Sequence, residues 1–392
     1  MDYVQYWELV QGIYETTFSL FFFALALVMG VISHRGFVSK NRYGAISTLI
    51  CGIIFLFFGY YQSIYGLFPW PLSGFMLWWV VFIIIVNLIF SRIIRKQIKK
   101  MRVEFKTTNL TKTHIEVKTG IRRFIIKMSK EDPYEDGEIP FKRELYRKSF
   151  HLLGLLVVAA YFGFFIIPPV MALINNGAIA FIYFTEPIYN ALWGDILTYP
   201  YALGPPWDQQ AIIDYTLFAL VAALVIAIIS DIVRTMWGPK YSVFTFATKP
   251  MLRIKEKNAA GPHVYILTGF IFSYWLHVMG WANILVVMAA ILIASLSDAA
   301  AALVGRKYGK HAVKIIKGER RTLEGFIAGT VLAYFIGLLF VGPIYAIVGA
   351  VIFFLIDFFP LYISDNILNP ILITVGIQVF IIILGLPVGF II

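Results

Sequence analysis

The chain has 392 residues, 60% of them hydrophobic and 14% charged, and a mean hydropathy of +0.80, which excludes a water-soluble globular domain. Apolar runs of about 20 residues, the length that crosses a bilayer, recur from Phe18 to Ile392, so a single anchor is excluded too, and stretches such as Leu217 to Ile229 are apolar on every face, unlike a β-barrel strand. The net charge of +11 sits in a few loops, where positive-inside topology places it without nucleic acid, and the lone Cys51 excludes a disulfide framework or thiolate metal site.

In chain order, residues 1–93 form an N-terminal region with three expected spans, Tyr14 to Ser33, Gly44 to Phe68 and Leu72 to Phe90. No cleavable signal is expected, because Asp2, Glu8 and Glu15 precede the apolar run without a basic residue. The cluster Arg92, Arg95, Lys96, Lys99, Lys100 and Arg102 should be cytoplasmic, which puts the N-terminus outside. Residues 94–142 are the only long polar stretch. They read either as a small cytoplasmic insert, with a β-hairpin around Lys118 to Gly120, or as a disordered linker.

Residues 143–392 form the expected catalytic region. Spans are expected at Phe150 to Leu173, Ile212 to Met236, His263 to Met279, Trp281 to Val304, Phe326 to Val341, Ile344 to Pro360 and Ile371 to Ile391, about ten in all. Residues 174–211, interrupted by Pro187, Pro200, Pro205 and Pro206, read as an outer re-entrant or interfacial hairpin. The fold class is therefore all-α, a polytopic transmembrane helical bundle. Its orientation is self-consistent: the loops around Arg253 and from Arg306 to Arg321 fall inside and are basic, whereas the turns at Gly280 and Gly342 fall outside and carry no charge.

Ionisable groups in or beside a span are costly and so mark function. Glu144, Arg147, Lys148 and His151, spaced i, i+3, i+4 and i+7, share one helical stripe entering the membrane; a salt-bridged anchor would look the same. Asp231 and Arg234, one turn apart, read as a self-neutralising pair. Arg253 and Glu256 lie one turn apart in an otherwise ordinary loop ahead of Gly261. Ser297 and Asp298 then end an apolar run, with Ser295, Ala299 and Ala302 forming a small face that lets a neighbouring helix approach and shield the carboxylate. Gly305, Arg306, Gly309, Lys310, Arg320, Arg321, Thr322, Glu324 and Gly325 come next, a set of glycines and cations that suits a polyphosphate. It is not a Walker A loop, since three residues separate Gly305 from Gly309 and His311 follows Lys310. Finally Asp357, Asp365, Asn366 and Asn369 surround a helix break; oxygen ligands there suit Mg²⁺, which takes one or two protein carboxylates plus substrate phosphates, and capped helix ends would suit the same residues. Positive-inside topology accounts for the cations but not for Asp298, Glu324, Asp357 and Asp365 among them.

From Glu144 onward the chain resembles the dolichol kinases, phytol kinases and CTP-dependent diacylglycerol kinases, which share distant similarity with phosphatidate cytidylyltransferases. The resemblance rests on E-x-x-R-K-x-x-H from Glu144 to His151, R-x-K-E from Arg253 to Glu256 ahead of Gly261 and Gly269, S-D-A-A-A-A-L-V-G-R-x-x-G-K from Ser297, T-L-E-G from Thr322, and D-N-x-x-x-P from Asp365. Arg321 stands where the family usually has lysine, and the first 142 residues match no part of the family core. The resemblance implies CTP as donor and Ser297 to Gly325 as the nucleotide-binding region.

The expected reaction is transfer of the γ-phosphate of CTP to the hydroxyl of a membrane-embedded isoprenoid alcohol such as dolichol. Asp298, Asp365 and Asn366, with Asp357 nearby, would hold Mg²⁺; Arg147, Lys148, Lys310, Arg320 and Arg321 would neutralise the triphosphate; Glu324 or His151 would handle the hydroxyl proton. The site would face the cytoplasm, from a prokaryotic plasma membrane or the endoplasmic reticulum. A cytidylyltransferase acting on a lipid phosphate is the near alternative, and an anion transporter the alternative from another class.

Overall fold

The computed structural model describes residues 3–66, 72–107, 122, 125, 141–167, 169, 172, 176, 187, 209–245, 252–253, 256–314, 320–359 and 361–389. The hairpin expected around Lys118 to Gly120 and nearly all of 174–211 lie outside these residues. Among the described residues twelve α-helices run in the order α1 (Tyr3–Val38), α2 (Arg42–Tyr65), α3 (Leu72–Thr107), α4 (Phe141–Ser149), α5 (Leu152–Ile166), α6 (Gln209–Trp237), α7 (Pro262–Val278), α8 (Ile284–Leu292), α9 (Asp298–Tyr308), α10 (Leu323–Val341), α11 (Pro343–Phe358) and α12 (Asp365–Leu384). The protein is an all-α polytopic membrane bundle. Seven of the described helical stretches are long and apolar enough to cross a bilayer: Gly12–Val38, Arg42–Tyr65, Leu72–Met101, Ile212–Trp237, Ile284–Tyr308, Leu323–Val341 and Asp365–Leu384. Each of the other three expected spans coincides with a shorter helix, α5, α7 or α11.

Local chemistry sets the helix ends. Asn41 accepts from Gly44 N at 3.1 Å to cap α2, and Asn283 accepts from Leu285 N at 2.8 Å to cap α8. Helices α7 and α11 open on Pro262 and Pro343 just after a glycine, where a missing N–H costs nothing. Gly342, at φ 85°, turns the chain between α10 and α11, and Gly385, at φ 61°, ends α12. The last helix thus runs from Asp365 to Leu384, one and a half turns ahead of the expected Ile371 start, because Pro370 lies inside it without ending it.

In lipid, helices gain little from hydrophobicity when they associate, so close packing at small residues decides the contacts. Gly269 of α7 shows this: a Cβ there would stand 2.6 Å from Pro370 Cγ and 2.9 Å from the Asn366 carbonyl, the oxygen that Pro370 deprives of its helical partner. One apolar core joins the N-terminal helices to the rest. Phe22, Phe55 and Phe58 of α1 and α2 lie in it with Trp275 of α7, Met288 of α8 and Ile373 of α12.

Among the described residues the only sheet is a two-stranded antiparallel hairpin, β1 (Ala312–Lys314) with β2 (Arg320–Thr322), in the register Ala312 with Thr322. It joins α9 to α10, where the sequence carries no strand signal.

Candidate active site

The site begins at the junction of α4 and α5. The short α4 has a charged face, and the i, i+3, i+4 and i+7 stripe directs Glu144, Arg147, Lys148 and His151 into the bundle; Glu144, Lys148 and His151 are all buried. Glu144 pairs with Arg147 one turn away. Its Oε2 also lies 3.3 Å from Arg306 Nη2, at the end of α9, and 3.9 Å from Arg253 Nη2, in the loop before α7. Three arginines from three segments thus converge on one carboxylate. Burial alone would raise the Glu144 carboxyl, but the guanidinium of Arg147, with Lys148 and Arg253, outweighs it and holds the group down at about 2. Arg147 is correspondingly raised, its own burial outweighed by Glu144. Burial pushes Lys148 below its ordinary range despite an opposing carboxylate.

That carboxylate is Asp298, and its position depends on a feature with no signature in the sequence. Between α8 and α9 the chain makes a π turn over Ile293–Ser297, a local widening that is common at functional sites and rotates the helix after it. Asp298 emerges from it against Lys148 Nζ, with His151 Nδ1 3.3 Å from its Oδ2. The Asp298 carboxylate is therefore paired, by residues some 150 positions earlier. The expected close approach of a neighbouring helix also occurs. Gly154 of α5 leaves no room for a Cβ against the Ser295 hydroxyl, which donates to the Ile291 carbonyl at 2.7 Å.

The site keeps polar atoms that protein does not satisfy. Arg147 Nε, Ser297 Oγ and Asn369 Oδ1 are buried and make no hydrogen bond, and Glu144 Oε2 and His151 Nδ1 have only their ion-pair contacts. Orphans of this kind are costly and need a reason, such as a ligand or water.

A second group lies on the hairpin side. Arg321, from β2, binds both the carboxylate and the carbonyl of Asp357 at the end of α11. Thr322 caps α10 by accepting from Gly325 N at 3.3 Å. The glycines expected to admit a phosphate serve packing here: a Cβ at Gly305 would stand 2.8 Å from Thr322 Oγ1, one at Gly325 2.6 Å from the Ala301 carbonyl, and one at Gly309 would collide with Thr322. Glu324, partly buried beside the exposed His311, accepts from the His311 N–H at 3.2 Å and faces His311 Nδ1 at 2.7 Å. Lys310 is exposed. The Arg320 side chain and Lys255 lie outside what the structure describes.

The expected metal ligands are not gathered into a shell. Among the described residues no group of three or more His, Cys, Asp or Glu is close enough to hold a metal ion. Asp298 and Asp357 are each paired to a cation, and the Asp365 carboxylate accepts from Asn366 N at 2.9 Å as α12 starts. Asp357 nevertheless lies within electrostatic reach of both Asp298 and Asp365. A donor set of one or two carboxylates fits Mg²⁺ arriving on a triphosphate and does not fit a metal held by protein alone.

The pair Asp231 and Arg234 proves to be a clamp as well. Arg234 Nη2 donates to Asp231 Oδ2 at 3.0 Å and to the Ala259 carbonyl at 2.7 Å, while Gly261 N donates to Asp231 Oδ2 at 2.7 Å. His263 Nε2 stands 3.6 Å from Asp231 Oδ1. Glu256 in turn accepts from the Arg253 N–H. The clamp fixes the loop that brings Arg253 to Glu144. Asp231 and Arg234 are readable in sequence as a helical pair, but their loop partners are not.

Two known proteins are similar to this chain. CTP-dependent diacylglycerol kinase 1 of Saccharomyces cerevisiae is 25% identical over 152 residues, 39% of this chain and 47% of that protein. CTP-dependent diacylglycerol kinase 1 of Schizosaccharomyces pombe is 29% identical over 120 residues, 30% of this chain and 53% of that protein. The chain spans about half the length of the relatives it matches. No family model and no solved structure matches. Both relatives are named as CTP-dependent diacylglycerol kinases, and neither is a dolichol kinase.

Proposed function

We propose that this protein is a lipid kinase that transfers the γ-phosphate of CTP to the hydroxyl of a lipid alcohol. The observation that carries the reading is the buried contact of Lys148 and His151 with Asp298, beside the arginine-lined Glu144. Cations, a carboxylate and a histidine meet within an apolar bundle, and the basic side chains offer charge for a triphosphate. CTP as donor rests on the resemblance of the motifs and on the names of the two relatives.

Phosphoryl transfer asks for positioning and charge neutralisation more than for covalent chemistry. Arg147, Arg306 and Arg321, with Lys310 at the rim, would hold the triphosphate, and Lys148 would bridge Asp298 to the transferred group. The alcohol oxygen bonds to the γ-phosphorus, the bond from that phosphorus to the β,γ-bridging oxygen breaks, CDP leaves, and the hydroxyl proton passes to a base. We assign that role to His151: its Nδ1 faces the Asp298 carboxylate at 3.3 Å, and a neutral ring carrying its proton on Nδ1 would accept at Nε2. Mg²⁺ bound with the nucleotide would neutralise phosphate charge, held by Asp298 or Asp365 with Asn366.

The acceptor has two readings. An isoprenoid alcohol such as dolichol follows from the sequence resemblance, and diacylglycerol follows from the names of both relatives. Purified protein in liposomes, given γ-labelled CTP and a panel of dolichol, geranylgeraniol, phytol and diacylglycerol, is expected to label one class of alcohol. The active site is proposed to face the cytoplasm. Label entering lipid only from α-labelled CTP, into a lipid phosphate, would make the protein a cytidylyltransferase instead.

A further inference from the structure

The sequence sets the N-terminal region apart from the catalytic region, yet the first two turns of α2 touch both loops of the candidate site. Ser47 Oγ accepts from Ser364 N at 2.9 Å, and both residues are buried. Ser364 is the residue from which α12 starts, so this bond fixes the helix end that carries Asp365 and Asn366. Tyr43 shares a hydrogen bond with the Ser364 side chain. One residue on, Thr48 Oγ1 donates to the Gly44 carbonyl at 2.7 Å, accepts from Ala260 N at 3.0 Å and meets Tyr265 OH at 3.1 Å. Asn41 Nδ2 donates to the Lys257 carbonyl at 2.8 Å. The loop that delivers Arg253 and Glu256 is thus held from one side by the Asp231–Arg234 clamp and from the other by α2.

We propose that Ser47 and Thr48 are positioning residues: α2 completes the site by fixing the backbone of the Ala260 loop and of the Ser364 corner. Neither touches a group assigned to substrate. Each satisfies a buried backbone N–H in the segment that bears such groups, and a buried N–H left without a partner drives its segment to move. The 1–93 region is then part of the working enzyme, although it lies outside the stretch that resembles the family core. The inference rests on the kinase reading for its kinetic arm alone.

The test uses the full-length protein in detergent or liposomes with Ser47→Ala, Thr48→Val, the conservative Ser47→Thr and Thr48→Ser, and Ser19→Ala as control. Ser19 is also buried between α1 and α2, donating to the Gly59 carbonyl at 2.7 Å, away from both loops. Hydrogen exchange needs no turnover. It is expected to quicken about tenfold in the segment around Ser364 for Ser47→Ala and around Ala260 for Thr48→Val, with α1 and the rest of α2 unchanged and Ser19→Ala like wild type. In the kinetic arm kcat/KM for CTP is expected to fall about tenfold in Ser47→Ala and Thr48→Val, to recover in the conservative variants, and to stay within about twofold in Ser19→Ala. Unchanged exchange at both loops, or a uniform quickening across α1 and α2, would overturn the proposal. Wild type that turns over no CTP would refute the kinase reading and leave the exchange result to decide this one.

Discussion

Removing one member of the buried Lys148–Asp298 pair leaves the other charged without its closest partner, at a cost of about 3–5 kcal/mol. Lys148→Met is therefore expected to lower the thermal unfolding midpoint sharply, and the double variant Lys148→Met with Asp298→Leu to recover much of the loss without recovering activity; differential scanning fluorimetry with the lipid assay separates the two. Glu144 gives a pH signature. Its folded carboxyl sits near 2, below the ordinary value of 4.5, so its stabilisation is present above the unfolded value and is lost as pH falls from about 4.5 toward 2. Glu144→Gln is expected to be less stable at neutral pH and to lose less on acidification through that window, read by melting curves at stepped pH. The stripe from Glu144 to His151 is legible in sequence because helical spacing is local information. Its meeting with Asp298 is not, since no periodicity links positions 150 residues apart.

Among the elements, the π turn over Ile293–Ser297 decides where Asp298 points. Inserting one alanine after Leu296 would add a residue to the widened turn and swing the residues after it by about 100°. The expected outcome is a protein that still inserts in the membrane but has lost lipid phosphorylation; full activity after the insertion would mean the register leaving the turn does not set the site. At the crossing of α9 and α10, Gly325→Ala places a methyl 2.6 Å from the Ala301 carbonyl, a backbone atom that cannot swing aside. Its cost is expected in the range of about 1–3 kcal/mol, checked by the unfolding midpoint and by loss of the Arg321–Asp357 contact in cross-linking. Hydropathy runs read the helices well because span length is a property of composition. The π turn escapes because Ile-Ala-Ser-Leu-Ser reads as one more apolar helical turn, and the hairpin at 312–322 escapes because its strands are only three residues each.

Over the whole molecule, a bundle of apolar helices shields a few ionisable side chains that lie far apart in sequence. The motif residues fall into two groups, Glu144, Arg147, Arg253 and Arg306 around one carboxylate and Lys148 and His151 around another, with Arg321 and Asp357 alongside. In sequence the basic residues read as topology or as ligand binding alike; what separates these is their convergence on buried carboxylates, which only the fold supplies. Asp298 carries the assignment of the site most directly. Folded Asp298→Asn protein, verified by a melting curve and monodisperse chromatography, is to be compared with wild type for transfer of γ-label from CTP to the best lipid alcohol of the panel. A fall of about 100-fold or more is predicted; transfer at the wild-type rate would contradict the assignment of this site.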